Sequence, residues 1–263
     1  MTTDSSEPRA AARATNAPAV TVQLLGSGDA FGSGGRFQTC IAVTSGLERY
    51  LIDCGASSLI ALRKFGVAPG SITAIVLTHL HGDHFGGVPF FLLDAQFYSK
   101  RTAPLVVAGP PGTSRRITEA LDVFFPGASG VRQKFAVDYV EWTDGVRVRV
   151  GSAWVTPFAV SHVPETAPFA VRLECGGRTI AYSGDTEWTS ALPRVADGAD
   201  LFLVESVSYE KRLKYHLDYA TLRAHWAELT AKRIVITHMG PEMLAQAGAV
   251  SCETADDGKI VEL

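Results

Sequence analysis

Short apolar stretches bounded by glycine and polar residues recur along the chain from about residue 20. The segments VTVQLLGS (20–27), CIAVTS (40–45) and RYLIDC (49–54) are rich in β-branched and aliphatic residues, which is typical of strands. The segment ASSLIALRKFG (56–66) instead has apolar residues at helical spacing and ends on a glycine, so it predicts a helix. The polar, alanine-rich stretch 1–18 lacks such a pattern, and we interpret it as a flexible tail.

The order of these elements repeats in the two halves of the chain. Each half begins with strands and continues with strands that alternate with helices. In the second half KFAVDYVEW, VRVRV and WVTPFAVS predict an antiparallel series with turns at 144–145 and 151–152, and the glycine pair 176–177 predicts a further hairpin. Two mixed sheets packed face to face, with helices on both outer sides, would satisfy this order. No boundary interrupts 19–263, which we expect to form a single domain.

The composition is that of an enzyme-sized globular protein: 46% of the 263 residues are hydrophobic and 19% are charged. A formal net charge of -3 gives no bulk attraction for nucleic acid. We find no apolar run of the roughly 18–20 residues needed to span a bilayer, and no secretory signal. The four cysteines are scattered without a CxxC pair, which favours reduced thiols and a cytoplasmic location.

The stretch AIVLTHLHGDHFGG carries the densest chemistry, because His79, His81, Asp83 and His84 directly follow an apolar strand. Side chains at i and i+2 of an extended chain point to the same side, so His79 and His81 can converge on one ion. Gly82 permits a tight turn that would direct Asp83 and His84 to a neighbouring point. Imidazoles with a carboxylate suit Zn²⁺, and also Mn²⁺ or Fe²⁺. A solvated polar loop would explain an isolated HxH pair, but not four such residues after a buried strand.

Three later strand ends carry the same residue types. His162 follows WVTPFAVS, Asp185 follows IAYSG, and His238 follows RIVIT. Each lies beside glycine or serine, as a ligand on a loop at a sheet edge would. A lone histidine is more often structural, but together the three supply further ligands for a site with two metals.

These motifs resemble the metallo-β-lactamase fold superfamily, and the resemblance covers nearly the whole chain from about residue 20. LLGSGDAFGSGGRFQTC, LIDCG, THLHGDHFGG, the GP of VVAGPPG, YSGDT and THMG are most similar to the branch that holds ribonuclease Z and its small phosphodiesterase relatives. The resemblance implies an α/β fold with four layers (an αββα sandwich), a dinuclear metal centre and a homodimer. Carried over residue by residue, it implies that His79, His81 and His162 bind one metal, that Asp83, His84 and His238 bind the other, and that Asp185 bridges them.

Two divalent ions about 3.5–4 Å apart can generate hydroxide near neutral pH and hold the attacking and leaving oxygens. We expect zinc by preference, with manganese or iron as alternatives. The charge of the two ions exceeds that of Asp83, Asp185 and a hydroxide by about one unit, which favours an anionic substrate such as a phosphodiester. Hydrolysis rather than redox chemistry is expected of such a centre. We assign Asp83 to the catalytic residues as well as to the metal ligands.

The segment ESVSYEKRLKYHLDYAT adds two further catalytic candidates. It resembles the part of ribonuclease Z-like enzymes in which a histidine protonates the leaving group. His216 would be this general acid and Glu205 the residue that orients it. A surface helix cap formed by His216 and Asp218 is the alternative. Asp53 and Thr78 are candidates for fixing the histidine tautomers, although a structural loop role for Asp53 is equally open.

The interval between His162 and Asp185 bears on the substrate. Ribonuclease Z carries a long arm for tRNA there, but here 163–184 is mostly one hairpin. This disfavours large RNA and favours a small phosphodiester, with a cyclic nucleotide or cyclic phosphate among the candidates. Other hydrolases with the same ligands (a lactonase, thioesterase, arylsulfatase or β-lactamase-like enzyme) stay open. So do an RNA 3′-end endonuclease without the usual arm and a non-enzymatic metal-binding protein.

Overall fold

A computed structural model describes residues 19–263, so the tail predicted over 1–18 lies outside the described residues. Within 19–263 the strands are β1 (Val20–Gly26), β2 (Cys40–Ser45), β3 (Glu48–Ile52), β4 (Ala74–Val76), β5 (Leu105–Gly109), β6 (Val137–Glu141), β7 (Val148–Val150), β8 (Ala153–Ala159), β9 (Phe169–Cys175), β10 (Arg178–Tyr182), β11 (Leu201–Glu205), β12 (Ile234–Thr237), β13 (Glu253–Thr254) and β14 (Ile260–Glu262). The α-helices are α1 (Ser58–Lys64), α2 (Gly82–Phe85), α3 (Val88–Phe97), α4 (Thr113–Phe124), α5 (Ala191–Ala196), α6 (Tyr219–Ala224) and α7 (Pro241–Ala245).

The strands form two seven-stranded mixed sheets, ordered β14-β1-β2-β3-β4-β5-β6 and β13-β12-β11-β10-β9-β8-β7. In the first sheet β14, β1, β2 and β3 pair antiparallel, and β3 to β6 pair parallel. In the second sheet β7 to β10 pair antiparallel, and β10 to β13 pair parallel. Each sheet thus joins a meander to a parallel section whose crossovers carry helices.

Three apolar clusters separate four layers. The central one joins the facing sides of the two sheets and includes Ile52 and Val76 from the first and Tyr182 and Leu203 from the second. A second cluster buries α1, α3 and α4 on the outer face of the first sheet, and a third buries α5, α6 and α7 on the outer face of the second. The predicted α/β fold with an αββα sandwich is confirmed.

One pairing predicted from the sequence is wrong. β6 does not form a hairpin with β7, because β6 pairs only with β5, in parallel, while β7 pairs with β8 in the other sheet. The turn at 144–145 instead carries the chain from one sheet to the other, and Gly145 donates its N–H to the carbonyl of Pro157 in the second sheet. The hairpins at 151–152 and 176–177 are present as predicted.

The helices of the described part of the chain are too short or too polar to cross a membrane: none is both long enough and apolar enough. The four cysteines are unpaired, and all except Cys252 are buried.

Candidate metal centre and active site

The seven ligand candidates lie together at one edge of the sandwich. His79, His81, Asp83 and His84 follow β4; His162, Asp185 and His238 follow β8, β10 and β12. Strands β8, β10 and β12 run in the same direction, so the loops that follow them meet at one edge of the second sheet, opposite the loop after β4. The sequence brings the ligands together because each one lies within a few residues after the end of a strand, in a loop or, for Asp83 and His84, in the short helix α2.

Three imidazoles form the first cluster. His81 Nδ1 lies 3.2 Å from His79 Nε2 and 3.1 Å from His162 Nε2. Nitrogens bound at 2.0–2.1 Å to one tetrahedral zinc ion would be separated by about 3.3 Å. The three nitrogens are therefore spaced as ligands of a single ion, whereas a single N–H on His81 could satisfy only one of its two neighbours.

Two imidazoles and two carboxylates form the second cluster. His84 Nε2 lies 3.3 Å from Asp83 Oδ2 and 3.3 Å from Asp185 Oδ1. His238 Nε2 lies 3.3 Å from Asp83 Oδ2 and 3.5 Å from Asp185 Oδ2. Despite this closeness, His84 Nε2 and Asp185 Oδ1 are buried without a hydrogen-bond partner. Buried polar atoms left unpaired in this way fit a cation between them.

Asp185 also reaches the first cluster, because its Oδ2 lies 3.9 Å from His79 Nε2. It is thus the carboxylate placed to bridge two ions. All seven ligand candidates are buried or half-buried. In each of the two clusters the donor atoms, nitrogen in the first and nitrogen or oxygen in the second, lie close enough together to hold an ion. The residues present fit a pair of divalent cations, and an N/O set of this kind accepts zinc, manganese or iron.

The charge state of the clusters agrees with this fit. Burial lowers the pKa of His79 well below its usual value and that of His162 to about 4, which leaves both rings neutral, the form that binds metals. Burial would lower the pKa of His84 too, but the charges of Asp185, Asp83 and Asp53 raise it well above its usual value. The carboxylates therefore draw positive charge onto this cluster, and a bound cation would replace that proton.

Buried partners hold the rings in place. Asp53 Oδ2 accepts a 2.6 Å hydrogen bond from His84 Nδ1, and the Thr78 hydroxyl lies 2.8 Å from Asp53 Oδ2 and 3.1 Å from His79 Nδ1. The carbonyl of Tyr215 accepts a 2.7 Å hydrogen bond from His162 Nδ1. Such contacts fix the tautomer so that the other ring nitrogen faces the metal. The geometry favours this role for Asp53 and Thr78 over a purely structural one.

The backbone is unusual at three positions of the site. Asp53, Tyr215 and His238 have φ angles of 58°, 73° and 57°, a left-handed conformation that non-glycine residues rarely adopt. Gly55 in LIDCG is required for another reason, since a Cβ there would lie 2.2 Å from the carbonyl oxygen of Asp83. The glycine therefore lets the loop after β3 pack directly against the ligand loop.

His216 and Glu205 are adjacent, as the sequence predicted. His216 Nδ1 lies 3.1 Å from Glu205 Oε2, and the imidazole ring is 4.9 Å from that of His162. Burial would lower the pKa of His216, but the hydrogen bond and charge of Glu205 raise it to about 9. The alternative cap is also present, because Asp218 accepts a hydrogen bond from Thr221 N at the start of α6. Asp218 caps the helix alone, and His216 faces the ligand clusters.

Glu187 was not predicted from the sequence, yet it links three loops of the site. Its carboxylate accepts a 2.7 Å hydrogen bond from the N–H of Tyr215, and its own N–H donates to the carbonyl of Ser161. Glu187 thereby joins the segments that carry Asp185, His162 and His216. Its only sequence signal is its position two residues after Asp185 in YSGDTE.

A cavity of about 310 Å³ opens over both clusters. Its wall includes Phe31, His81, Asp83, Asp185, His216 and His238. The volume lies at the lower end of the range for small-molecule sites. None of its lining residues, all within 19–263, is a lysine or an arginine.

The family is identified by comparison with known proteins. The model of the family described as "Anti-Pycsar protein Apyc1" matches residues 20–256. The chain belongs to this family. Ribonuclease Z of Mycobacterium tuberculosis (strain H37Rv) is 30% identical over 250 residues, with 84% of this chain and 85% of the relative covered. Ribonuclease Z of Mycobacterium bovis (strain BCG / Pasteur 1173P2) is 29% identical over 250 residues, with 84% and 86% covered.

Solved structures share the fold. A diphosphatase of the PhnP family has a TM-score of 0.74 at 20% identity, with 93% of this chain and 98% of the other covered. The short form of human tRNase Z has a TM-score of 0.72 at 22% identity, with 92% and 98% covered. A Zn²⁺-bound PqqB from Methylobacterium extorquens has a TM-score of 0.73 at 18% identity, with 92% and 100% covered. These likenesses confirm the fold. The sequence relatives confirm the predicted branch, that of ribonuclease Z and phosphodiesterases, and with it a metal-dependent hydrolase.

Proposed function

We propose that residues 19–263 form a single-domain phosphodiesterase that uses two divalent metal ions, zinc by preference, to hydrolyse a small, cyclic phosphodiester. The observation that carries the proposal is the cavity of about 310 Å³, whose wall combines residues of both ligand clusters with His216. When bound, the two ions would supply a nucleophile from water near neutral pH and positive charge for the phosphoryl oxygens. His79, His81 and His162 would hold one ion, Asp83, His84 and His238 the other, and Asp185 both.

The chain's own residues would position the substrate and handle the leaving group. Because the cavity wall has no lysine or arginine, His216 is the side chain placed to meet the phosphate beside the ions. Its Nδ1 is held by Glu205, so Nε2 is the ring nitrogen free to donate a proton to the departing oxygen. Glu205 is fully buried and would keep the imidazole oriented and protonated until the proton on Nε2 passes to the departing oxygen.

The size of the site supports a small substrate over RNA. The segment between His162 and Asp185 holds only β9, β10 and a short turn before them, so it contains no arm that could hold tRNA. The formal net charge of -3 adds no attraction for a polyanion. An RNA 3′-end endonuclease is the second candidate, favoured by the 30% identity to ribonuclease Z.

A substrate panel tests the proposal. Purified metal-loaded protein would be assayed with nucleoside 3′,5′-cyclic monophosphates, bis(p-nitrophenyl) phosphate, precursor tRNA, a lactone, a thioester, an aryl sulfate and nitrocefin. We expect turnover of the small phosphodiesters, loss of it in Asp185→Asn, and full activity in Asp200→Asn, which removes ion pairs with Arg178 and Lys232 outside the cavity. Turnover of precursor tRNA alone would favour the second candidate. Turnover of only the non-phosphate substrates would refute the proposal.

We also propose a homodimer in the cytoplasm. Most of the exposed large apolar residues among those described lie on α1, α3, α4 or the loop after α4, including Phe90, Phe97 and Phe125, and none lies on α5, α6 or α7. A two-fold contact uses the same patch on both copies, so the first helical layer can cover itself. Light scattering should give twice the mass of the chain, and Phe97→Glu should give the monomer. A monomeric wild-type protein would contradict this.

A further inference from the structure

Phe31 is an aromatic side chain with no packing role in the described structure. It lies in the loop between β1 and β2 and is 93% exposed, and the residue is part of the wall of the cavity over the ligand clusters. Exposing a whole phenyl ring to water costs free energy that a polar residue at this position would avoid. Contact with a ligand in the cavity would explain why an aromatic residue is exposed at this position.

The loop that carries Phe31 is held firmly by its own side chains. Asp29 Oδ1 accepts hydrogen bonds from the N–H groups of Phe31 (3.2 Å) and Ser33 (2.9 Å), and Asp29 Oδ2 accepts one from the Ser33 hydroxyl (2.7 Å). Gln38 Nε2 donates a 3.0 Å hydrogen bond to the carbonyl of Ala30. The backbone of Phe31 is thus held in place, so that little backbone freedom would be lost when a ligand binds the ring.

The surroundings of the ring indicate what it would contact. The phosphate end of a substrate would lie at the floor, where Asp83, Asp185 and His216 converge, and Phe31 stands on the wall of the same cavity with apolar surface from Val207. The apolar groove over α1 and α3 is a separate cavity that shares no lining residue with this one. Phe31 therefore belongs to the substrate site and not to the proposed dimer face.

We propose that Phe31 is a specificity-determining residue that stacks against the planar base of a nucleotide substrate. The inference rests on the proposed function and assigns one residue within it: with the phosphate of a nucleoside cyclic phosphate over the ligand clusters, the base would lie against the phenyl ring. Removing an aromatic platform weakens base stacking by about 1–3 kcal/mol, which corresponds to roughly 5- to 150-fold in binding. Stacking is tolerant of sequence, so purine and pyrimidine bases should both use the ring.

The test compares Phe31→Ala with Phe31→Trp on substrates with and without a base. For nucleoside 3′,5′-cyclic monophosphates, we expect Phe31→Ala to raise KM by roughly 5- to 150-fold with kcat within about twofold of wild type. For a base-free deoxyribose 3′,5′-cyclic phosphate, KM should not change. Phe31→Trp should keep the wild-type KM. Leu47→Ala is the matched control, because Leu47 is fully exposed in the turn between β2 and β3 and lines no part of the cavity.

Equal changes of KM for both substrates, or no change for either, would overturn the stacking role. If Phe31→Ala were a monomer while the wild-type protein is a dimer, the ring would instead belong to a contact between the two copies. If wild-type protein hydrolyses neither substrate, the proposed function fails, and binding decides the inference separately. In that case the metal-loaded protein should bind adenosine 5′-monophosphate more tightly than ribose 5-phosphate, and Phe31→Ala should abolish the difference. Equal binding of the two probes to the wild-type protein would refute the inference.

Discussion

Replacing His216 by alanine separates proton donation from metal binding. The imidazole is hydrogen-bonded at 3.1 Å to Glu205, lines the cavity and is 26% exposed, so it is the ring placed to protonate a leaving group. General acids of this kind contribute about 10²–10⁴-fold to the rate. We expect His216→Ala to lower kcat by this factor, about 3–5 kcal/mol in activation free energy, for a cyclic nucleotide that leaves as an alkoxide.

The assay uses two leaving groups. p-Nitrophenolate departs as a stable anion, so the kcat of His216→Ala on bis(p-nitrophenyl) phosphate should fall by less than about tenfold. Glu205→Gln keeps an acceptor for Nδ1 but removes its charge, and its effect on the alkoxide substrate should be intermediate. His225→Ala is the control, since His225 stacks on Trp188 and pairs with Glu228 away from the cavity wall.

Metal content decides between the two roles of His216. Elemental analysis should find the same metal content in His216→Ala as in the wild-type protein. An equal loss of kcat on both substrates would remove the acid role, and a parallel loss of metal would make His216 a ligand instead.

Substitutions at three further positions test two residues that support the site and one ion-pair cluster at the surface. Asp53→Ala removes the carboxylate that holds His84 Nδ1, so competition with a chelator should show metal affinity lowered by about 10–100-fold. Glu187→Ala frees the N–H of Tyr215 and should lower kcat and metal retention together, whereas Glu187→Gln keeps an acceptor and should restore most of both; an unchanged alanine variant would exclude the positioning role. Arg233 and Lys259 lower the pKa of Glu253 to about 2, so these ion pairs stabilise the fold fully above about pH 4.5 and are lost as the pH falls towards 2. In urea denaturation, Glu253→Gln should therefore lower the free energy of unfolding by about 1 kcal/mol at pH 7 and by much less at pH 3, and an equal loss at both values would contradict the assignment.

Local patterns were sufficient for most of the fold but not for every strand pairing. Helix α1 and strands β1 and β2 lie close to their predicted bounds, because their apolar spacing reports directly which face is buried. The pairing of β6 with β5 could not be predicted, since alternation shows that a strand is half-buried and does not show which strand lies beside it. β13 has only two residues, too few to carry a pattern.

Some residues of the site could likewise be predicted from local patterns, and others could not. The ligand candidates were visible because each follows a buried apolar strand, and His216 with Glu205 was visible only through the resemblance to a known family. Glu187 was missed because its contact with Tyr215 spans 28 residues and depends on the left-handed backbone at that tyrosine. Phe31 was missed because a single aromatic in a glycine-rich loop has no period, and its importance comes from an exposure that only the folded chain reveals.

The most direct test of the account is a crystal structure with zinc, read through anomalous diffraction at the zinc absorption edge. We expect two peaks about 3.5–4 Å apart, one among His79, His81 and His162 and the other among Asp83, His84 and His238, with Asp185 between them. A single peak, or peaks outside these two clusters, would contradict the dinuclear centre on which the proposed chemistry depends.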